Sequence, residues 1–266
     1  MRTSALLLTS LLLTTIASAD LIVPQTAAAR ILIPAAGNAP GANGTYFRSD
    51  IQIANLNNAT QRVHLYWLPQ GSNGAAIAPR VINLGPLSGF SSEDFVTNIM
   101  LQSGVGGIEV VGVTDSDQLD PDARLHVTSR IWSPRPDDGA GTMSQTFPSL
   151  ILPGSTSRVK VVFGIRRSNQ YRLNVGITNP AQNVHRFRVT ASVSTQGGTE
   201  TAQFELDVQP RSIEQRLVTG LTGAGVVQVL IENLTAGTAT DWQGWASSID
   251  NESGDAWSQI AFPTTP

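Results

Sequence analysis

Apolar and polar residues alternate in short runs along most of this chain. Between residues 47 and 55, Phe47, Ile51 and Ile53 share one face at period two, while Arg48 points to the other. The run closes at Asn55, a residue whose side chain can fold back onto its own backbone and start a turn. The next run continues the alternation with Val63, Leu65 and Trp67. Strand-like segments lie near 29–35, 47–55, 61–69, 78–84, 107–114, 123–132 and 143–150, with turn-formers such as "NLNN" and "PQGSNG" between them. Nothing sustains the 3.6-residue period of a long helix. Ser91 with Asp94 and Ser212 with Gln215 have capping-box spacing, which predicts one short helical turn in each half of the chain.

The pattern occurs twice. Shifted by 124 positions, Phe47, Arg48, Ile51, Ile53 and Asn55 fall on Tyr171, Arg172, Val175, Ile177 and Asn179. Three more blocks recur in the same order. "ARILIP" at 29–34 pairs with "SRVKVV" at 157–162, "GGIEVV" at 106–111 with "VVQVLI" at 226–231, and "MSQTFP" at 143–148 with "WSQIAFP" at 257–263. This predicts a tandem duplication, with a second set of strands near 157–163, 171–178, 185–193, 201–208, 225–233, 242–249 and 257–262. The fold class expected is all-β: two antiparallel sandwiches in tandem, one over 20–150 and the other over 151–266. "LILPGSTSR" at 150–158 has linker composition but is brief, so the two units are expected in contact.

The pattern of an aromatic residue, Arg, one residue, Asp or Asn, then alternating apolar positions ending at Asn resembles immunoglobulin-like repeats of exported bacterial surface proteins. It stands at Phe47–Asn55 and Tyr171–Asn179. The resemblance covers most of each half. It implies an immunoglobulin-like sandwich and an exported location, and no reaction.

The N-terminus agrees with export. Residues 1–19 carry Arg2, a Leu-rich run and then Ala17-Ser18-Ala19, the pattern of a signal peptide cut after Ala19. The apolar run from Ala5 to Ile16 is too short to span about 30 Å of hydrocarbon. No later segment reaches spanning length, so the mature chain is expected to have no transmembrane segment. There is no Cys, which excludes disulfides and thiol chemistry. The net charge of −3 falls by one more without Arg2 and argues against nucleic acid as a partner. Sequons stand at Asn43, Asn58, Asn233 and Asn251.

Candidate chemistry is sparse. "TDSDQLDPD" at 114–122 places Asp115, Asp117, Asp120 and Asp122 in one loop, and clustered carboxylates favour Ca²⁺; a solvated hairpin loop is the alternative. His64, His126 and His185 are scattered, offer no convergent ligand set and are read as exposed strand positions. Trp242, Trp245 and Trp257 cluster in the second half. Aligned with Arg124, Trp242 is expected near an open sheet face as a stacking surface for carbohydrate, whereas Trp245, aligned with Val127, is expected inside. There is no G-x-S-x-G, no H-E-x-x-H and no phosphate-binding glycine loop.

The leading expectation is therefore an exported, non-enzymatic protein, periplasmic or at the cell surface, serving adhesion, surface architecture or partner binding, with a protein or carbohydrate partner. A carbohydrate-binding module or carbohydrate-active hydrolase is the alternative. A periplasmic pilus-type chaperone is a further one; that family holds a subunit's C-terminal carboxylate with an Arg and a Lys between its domains. Arg30 could serve there, but Lys160, the one lysine, opens the second half.

Overall fold

The computed structural model describes residues 27–41, 44–135, 140–235 and 241–264. The expected signal peptide and the sequon at Asn43 lie outside them. The first half holds β1 (Arg30–Pro40), β2 (Tyr46–Asn55), β3 (Gln61–Pro69), β4 (Arg80–Leu84), β5 (Gly89–Ser92), β6 (Gly104–Val113), β7 (Leu125–Pro134), β8 (Thr142–Thr146) and β9 (Leu150–Ile151). The second holds β10 (Val159–Arg167), β11 (Tyr171–Asn179), β12 (His185–Thr195), β13 (Gly198–Val208), β14 (Ser212–Leu217), β15 (Gly225–Asn233), β16 (Gln243–Asp250), β17 (Ala256–Ile260) and β18 (Phe262–Pro263).

Each half stacks two antiparallel sheets, as the alternation predicts. In the second half the sheets are β13-β12-β15-β10-β18 and β14-β11-β16-β17. In the first, β4-β3-β6-β1 with β9 faces β5-β2-β7-β8, and the two are joined where Ala39 and Pro40 at the end of β1 pair with Phe47 and Tyr46. Every other pairing of the first half has its counterpart in the second, in the same order along the chain. The opening strand of each half carries a register shift at the same place, between Ile33 and Ala36 in β1 and between Val162 and Ile165 in β10. Gly164 in the second shift has φ of +78°, a region open to glycine at little cost.

The inward faces make two cores. Ile31, Ile33, Ile51, Ile53, Val63, Leu65, Trp67, Ile108, Val110 and Val127 fill the first. Val162, Val175, Ile177, Phe187, Val189, Val227, Val229, Ile231 and Trp242 fill the second. Fully burying a side chain of this size stabilises by roughly 1.5–3 kcal/mol, so each core can carry its half without disulfides.

Asn55 and Asn179 close the same turn in the two halves. The Asn55 side-chain amide donates to the carbonyls of Ala59 at 2.7 Å and Gly85 at 2.9 Å, and its Oδ1 accepts from the Asn57 N–H at 3.0 Å. Asn179 donates to Asn183 at 2.8 Å and Gln209 at 3.0 Å and accepts from Ala181 at 3.1 Å. Both side chains are buried, and each also reaches one buried carbonyl, Leu84 at 3.5 Å from Asn55 and Val208 at 3.3 Å from Asn179.

Of the two expected helical turns, one forms, in the first half, and the other does not. Ser212 to Gln215 is not helical: it lies in β14, paired with β11 from Asn179↔Ser212 to Asn174↔Leu217. The Ser212 hydroxyl donates to the carbonyls of Pro69 and Ile213 instead of capping a helix, and Ile213 is drawn into an apolar cluster with Leu32 and Leu68. In the first half a single π-helical segment, Val96–Met100, follows Asp94, but no side chain caps it. The Asp94 carboxylate accepts from the Asn38 amide on both oxygens, at 2.8 and 3.0 Å.

Candidate functional site

The two sandwiches meet along the outer face of β11, β14 and β16. Trp245 on β16 leaves that face and packs with Ala35, Ile131 and Phe147 of the first sandwich, its ring 5.0 Å from that of Phe147. Its indole N–H has no acceptor among the described residues. Beside it, Thr178 donates to the Pro34 carbonyl at 2.8 Å, Ser212 to the Pro69 carbonyl at 2.7 Å and Ser258 to Gln145 at 2.7 Å. Leu32, Leu68, Leu152 and Ile213 seal the far side of the contact.

A buried ion triad crosses the same junction. Glu109, 1 % exposed on β6, accepts from Arg30 Nη2 at 2.5 Å and from Arg211 Nη2 at 2.7 Å. Arg211 comes from the second half, has φ of +46° and lies 4.3 Å from the centre of the Tyr66 ring. One carboxylate between two guanidiniums is paired on both oxygens, which is what makes its burial tolerable. Arg30, Tyr66, Glu109, Asp117, Gln182 and Arg211 line a cleft of ≈ 360 Å³ here. Neither Glu109 nor Arg211 is picked out by the sequence reading. The available signal was Glu109 itself, the sole charge in the apolar run "GIEVVGV".

The Asp-rich loop borders this cleft. Asp117 accepts from Arg62 Nε at 2.8 Å and bonds His64 Nε2 at 3.0 Å. Arg62, with His64 adding, holds its carboxyl below the usual carboxylate range. Asp120 accepts from the N–H of Asp122 at 3.0 Å, closing its own turn. Among the described residues, no three His, Asp or Glu side chains stand together as metal ligands, so Asp115, Asp117, Asp120 and Asp122 are not brought to one point.

The histidines are not exposed strand positions. His64 and His185 are both buried, the first under Asp117 and the second against Asn233. Burial pushes the His185 imidazole below its usual value, and the Asn233 hydrogen bond pulls partly against that. His126 is half-buried on β7.

Trp242 is not at an open face either. It is 3 % exposed, in the core of the second sandwich, with Phe187 5.1 Å away and Lys160 Nζ 4.6 Å from its ring centre. The cause is register. The Asn55↔Leu125 and Ile53↔Val127 pairs of β2 and β7 correspond to the Ile177↔Gly244 ladder of β11 and β16, which sets Gly244 at Val127. Trp242 therefore stands at Leu125 and Trp245 at Thr128, one residue off the sequence alignment, and one residue exchanges the faces of a strand. Trp245 is buried as expected, but in the junction rather than in a core.

Arg30 and Lys160 do not share a cleft. Arg30 is held by Glu109, while Lys160 is buried, donates to the Trp242 carbonyl and lines a separate cavity of ≈ 180 Å³. Of the remaining tryptophans, Trp132 donates to Asp50 at 2.6 Å with Arg48 and Arg130 against its ring, and Trp257 is 47 % exposed. No helix among the described residues is long and apolar enough to cross a membrane. Comparison with protein-family models and with curated proteins finds no match for this chain.

Proposed function

We propose that this is an exported, non-enzymatic protein whose two joined β-sandwiches serve adhesion, surface architecture or partner binding, as immunoglobulin-like repeats do. The observation that carries the reading is the junction. Trp245 in an apolar socket, the Arg30–Glu109–Arg211 triad and three side-chain-to-partner hydrogen bonds tie the halves into one body. A pair of sandwiches so joined holds its outer loops and edges in fixed relation, and fixed relation lowers the entropy lost when an extended surface is engaged. Loops at sandwich ends can vary without disturbing the core, which suits recognition.

The test is affinity capture from the outer surface of the producing cells, using tagged protein spanning 20–266. A retained cell-surface component that free protein displaces is the expected result. Release of new sugar ends from cell-surface polysaccharide, with nothing retained, would overturn the reading in favour of a hydrolase.

A further inference from the structure

The open mouth of the second sandwich is the repeat counterpart of the mouth that Trp245 plugs in the first. In the first sandwich, Gly37, Phe47, Ile131 and Phe147 line the gap where Trp245 enters. Their ladder counterparts can be named. Tyr171 stands for Phe47 at the head of the second strand. Ser248, opposite Leu173, stands for Ile131, opposite Ser49. Arg166, one place past the register shift and opposite Val226, stands for Gly37, opposite Val105. Arg166, Tyr171 and Ser248 line a gap of ≈ 390 Å³ with Asp255 and Trp257, and no side chain among the described residues fills it.

We propose that this second mouth binds a saccharide, with Trp257 as its stacking surface. The proposal rests on reading the chain as a binding protein and names the ligand class. The lining argues for sugar over an apolar side chain. Where the first mouth presents Ile131 and Phe47, the second presents a hydroxyl and a phenol, and its rim adds charges of both signs. A pyranose has a C–H face that packs on an aromatic ring and a border of hydroxyls that donate and accept. Trp257 supplies the ring, the Asp255 carboxylate accepts and the Arg166 guanidinium donates. Among the described residues, neither Asp255 nor Arg166 is engaged in an ion pair or a side-chain hydrogen bond to another side chain. Asp250 plays a different part: it accepts from the N–H groups of Glu252 and Ser253 and from Gln170, which fixes the loop carrying Asp255. A gap of this size with an aromatic wall and a few polar groups matches small-molecule sites of about 300–1,000 Å³.

The experiment is an oligosaccharide array probed with the 20–266 protein, followed by calorimetry on the strongest soluble hit. Trp257→Ala is expected to weaken binding about tenfold or more, since it removes the stacking ring. Arg166→Ala and Asp255→Asn each weaken it too, while Trp132→Ala leaves it unchanged. Melting temperatures close to that of the parent separate lost binding from lost folding. No oligosaccharide bound by folded protein, or binding untouched by both Trp257→Ala and Arg166→Ala, overturns the proposal. An array without hits, alongside a protein partner captured from cells, sinks the saccharide site alone and leaves the binding function standing.

Discussion

Trp245 occupies the space in which a side chain at Gly176 would begin. A Cβ on Gly176 would lie 2.1 Å from Cζ2 of the indole, so the glycine on β11 is what lets the ring cross its own sheet and reach Phe147 in the other sandwich. The pair couples a local choice of residue to the joining of the two halves. Gly176→Ala should force the ring out of its socket and cost about 1–3 kcal/mol, as other overpacked sites do. Denaturant unfolding gives the loss, and a change in Trp fluorescence before the main transition would locate it at the junction.

The ion triad predicts a second junction effect. Glu109→Gln leaves the guanidiniums of Arg30 and Arg211 facing each other with no counter-charge, which should destabilise by about 3 kcal/mol, the low end for a broken buried pair because Arg30 is partly exposed. Removing Arg211 as well should recover part of that loss. An unchanged denaturation midpoint in Glu109→Gln would show the triad to be idle.

Asn55→Ala and Asn179→Ala should cost similar amounts, about 1–3 kcal/mol each, since each removes a buried amide that ties several turn carbonyls together, one of them buried. They share no partner, so the double variant should lose the sum. Strongly unequal losses would mean that the two turns have different weight in the fold.

Acid should expose His185. Its folded pKa lies below the ordinary 6.5 because of burial, so the unfolded chain takes up the proton first. Stability is then complete above pH 6.5 and falls as the pH drops through and below it. Gln61 holds the corresponding place in the first half and donates to the Val113 carbonyl at 3.0 Å without titrating. His185→Gln should flatten the decline in melting temperature between pH 6.5 and 5.

Lys160 gives the opposite end of the range. Burial lowers its pKa to about 8 from 10.5, with Asp241 opposing. Unfolding therefore takes up a proton between pH 8 and 10.5, and stability rises with pH across that window. Below pH 8 the charge is buried at a cost on the order of 3 kcal/mol, from about 1.4 kcal/mol per pKa unit. Lys160→Met should be more stable than the parent at pH 7 and should lose the rise from pH 8 to 10.5 in urea titrations.

Alternation was enough to place the long strands. Each expected run overlaps one of β1–β4, β6–β8, β10–β13 or β15–β17, and the Asn that closes Phe47–Asn55 and Tyr171–Asn179 forms its turn in both halves. What it lacked were the short outer strands β5, β9, β14 and β18, two to six residues long. β9 and β18, two residues each, are too short to show a period, whereas β5 and β14 sit at sheet edges where tertiary pairing rather than alternation makes them strands. Ser212, Ile213 and Gln215 are a strand only because β11 offers a free edge, and β14 takes it.

The chain's own pattern thus determined an all-β architecture with two matching sets of strands, because period two and turn residues are local properties. The tertiary structure decided which face each tryptophan takes. On β16 six consecutive residues, Gln243 to Ser248, are buried, since one side meets the core and the other meets the first sandwich. With both sides covered, polarity no longer alternates, and a one-residue slip in alignment leaves no trace in the sequence. The meeting of Glu109 with Arg211, 102 positions apart, is equally invisible there. It exists only once two folded bodies are set against each other, at a surface that neither half's pattern describes.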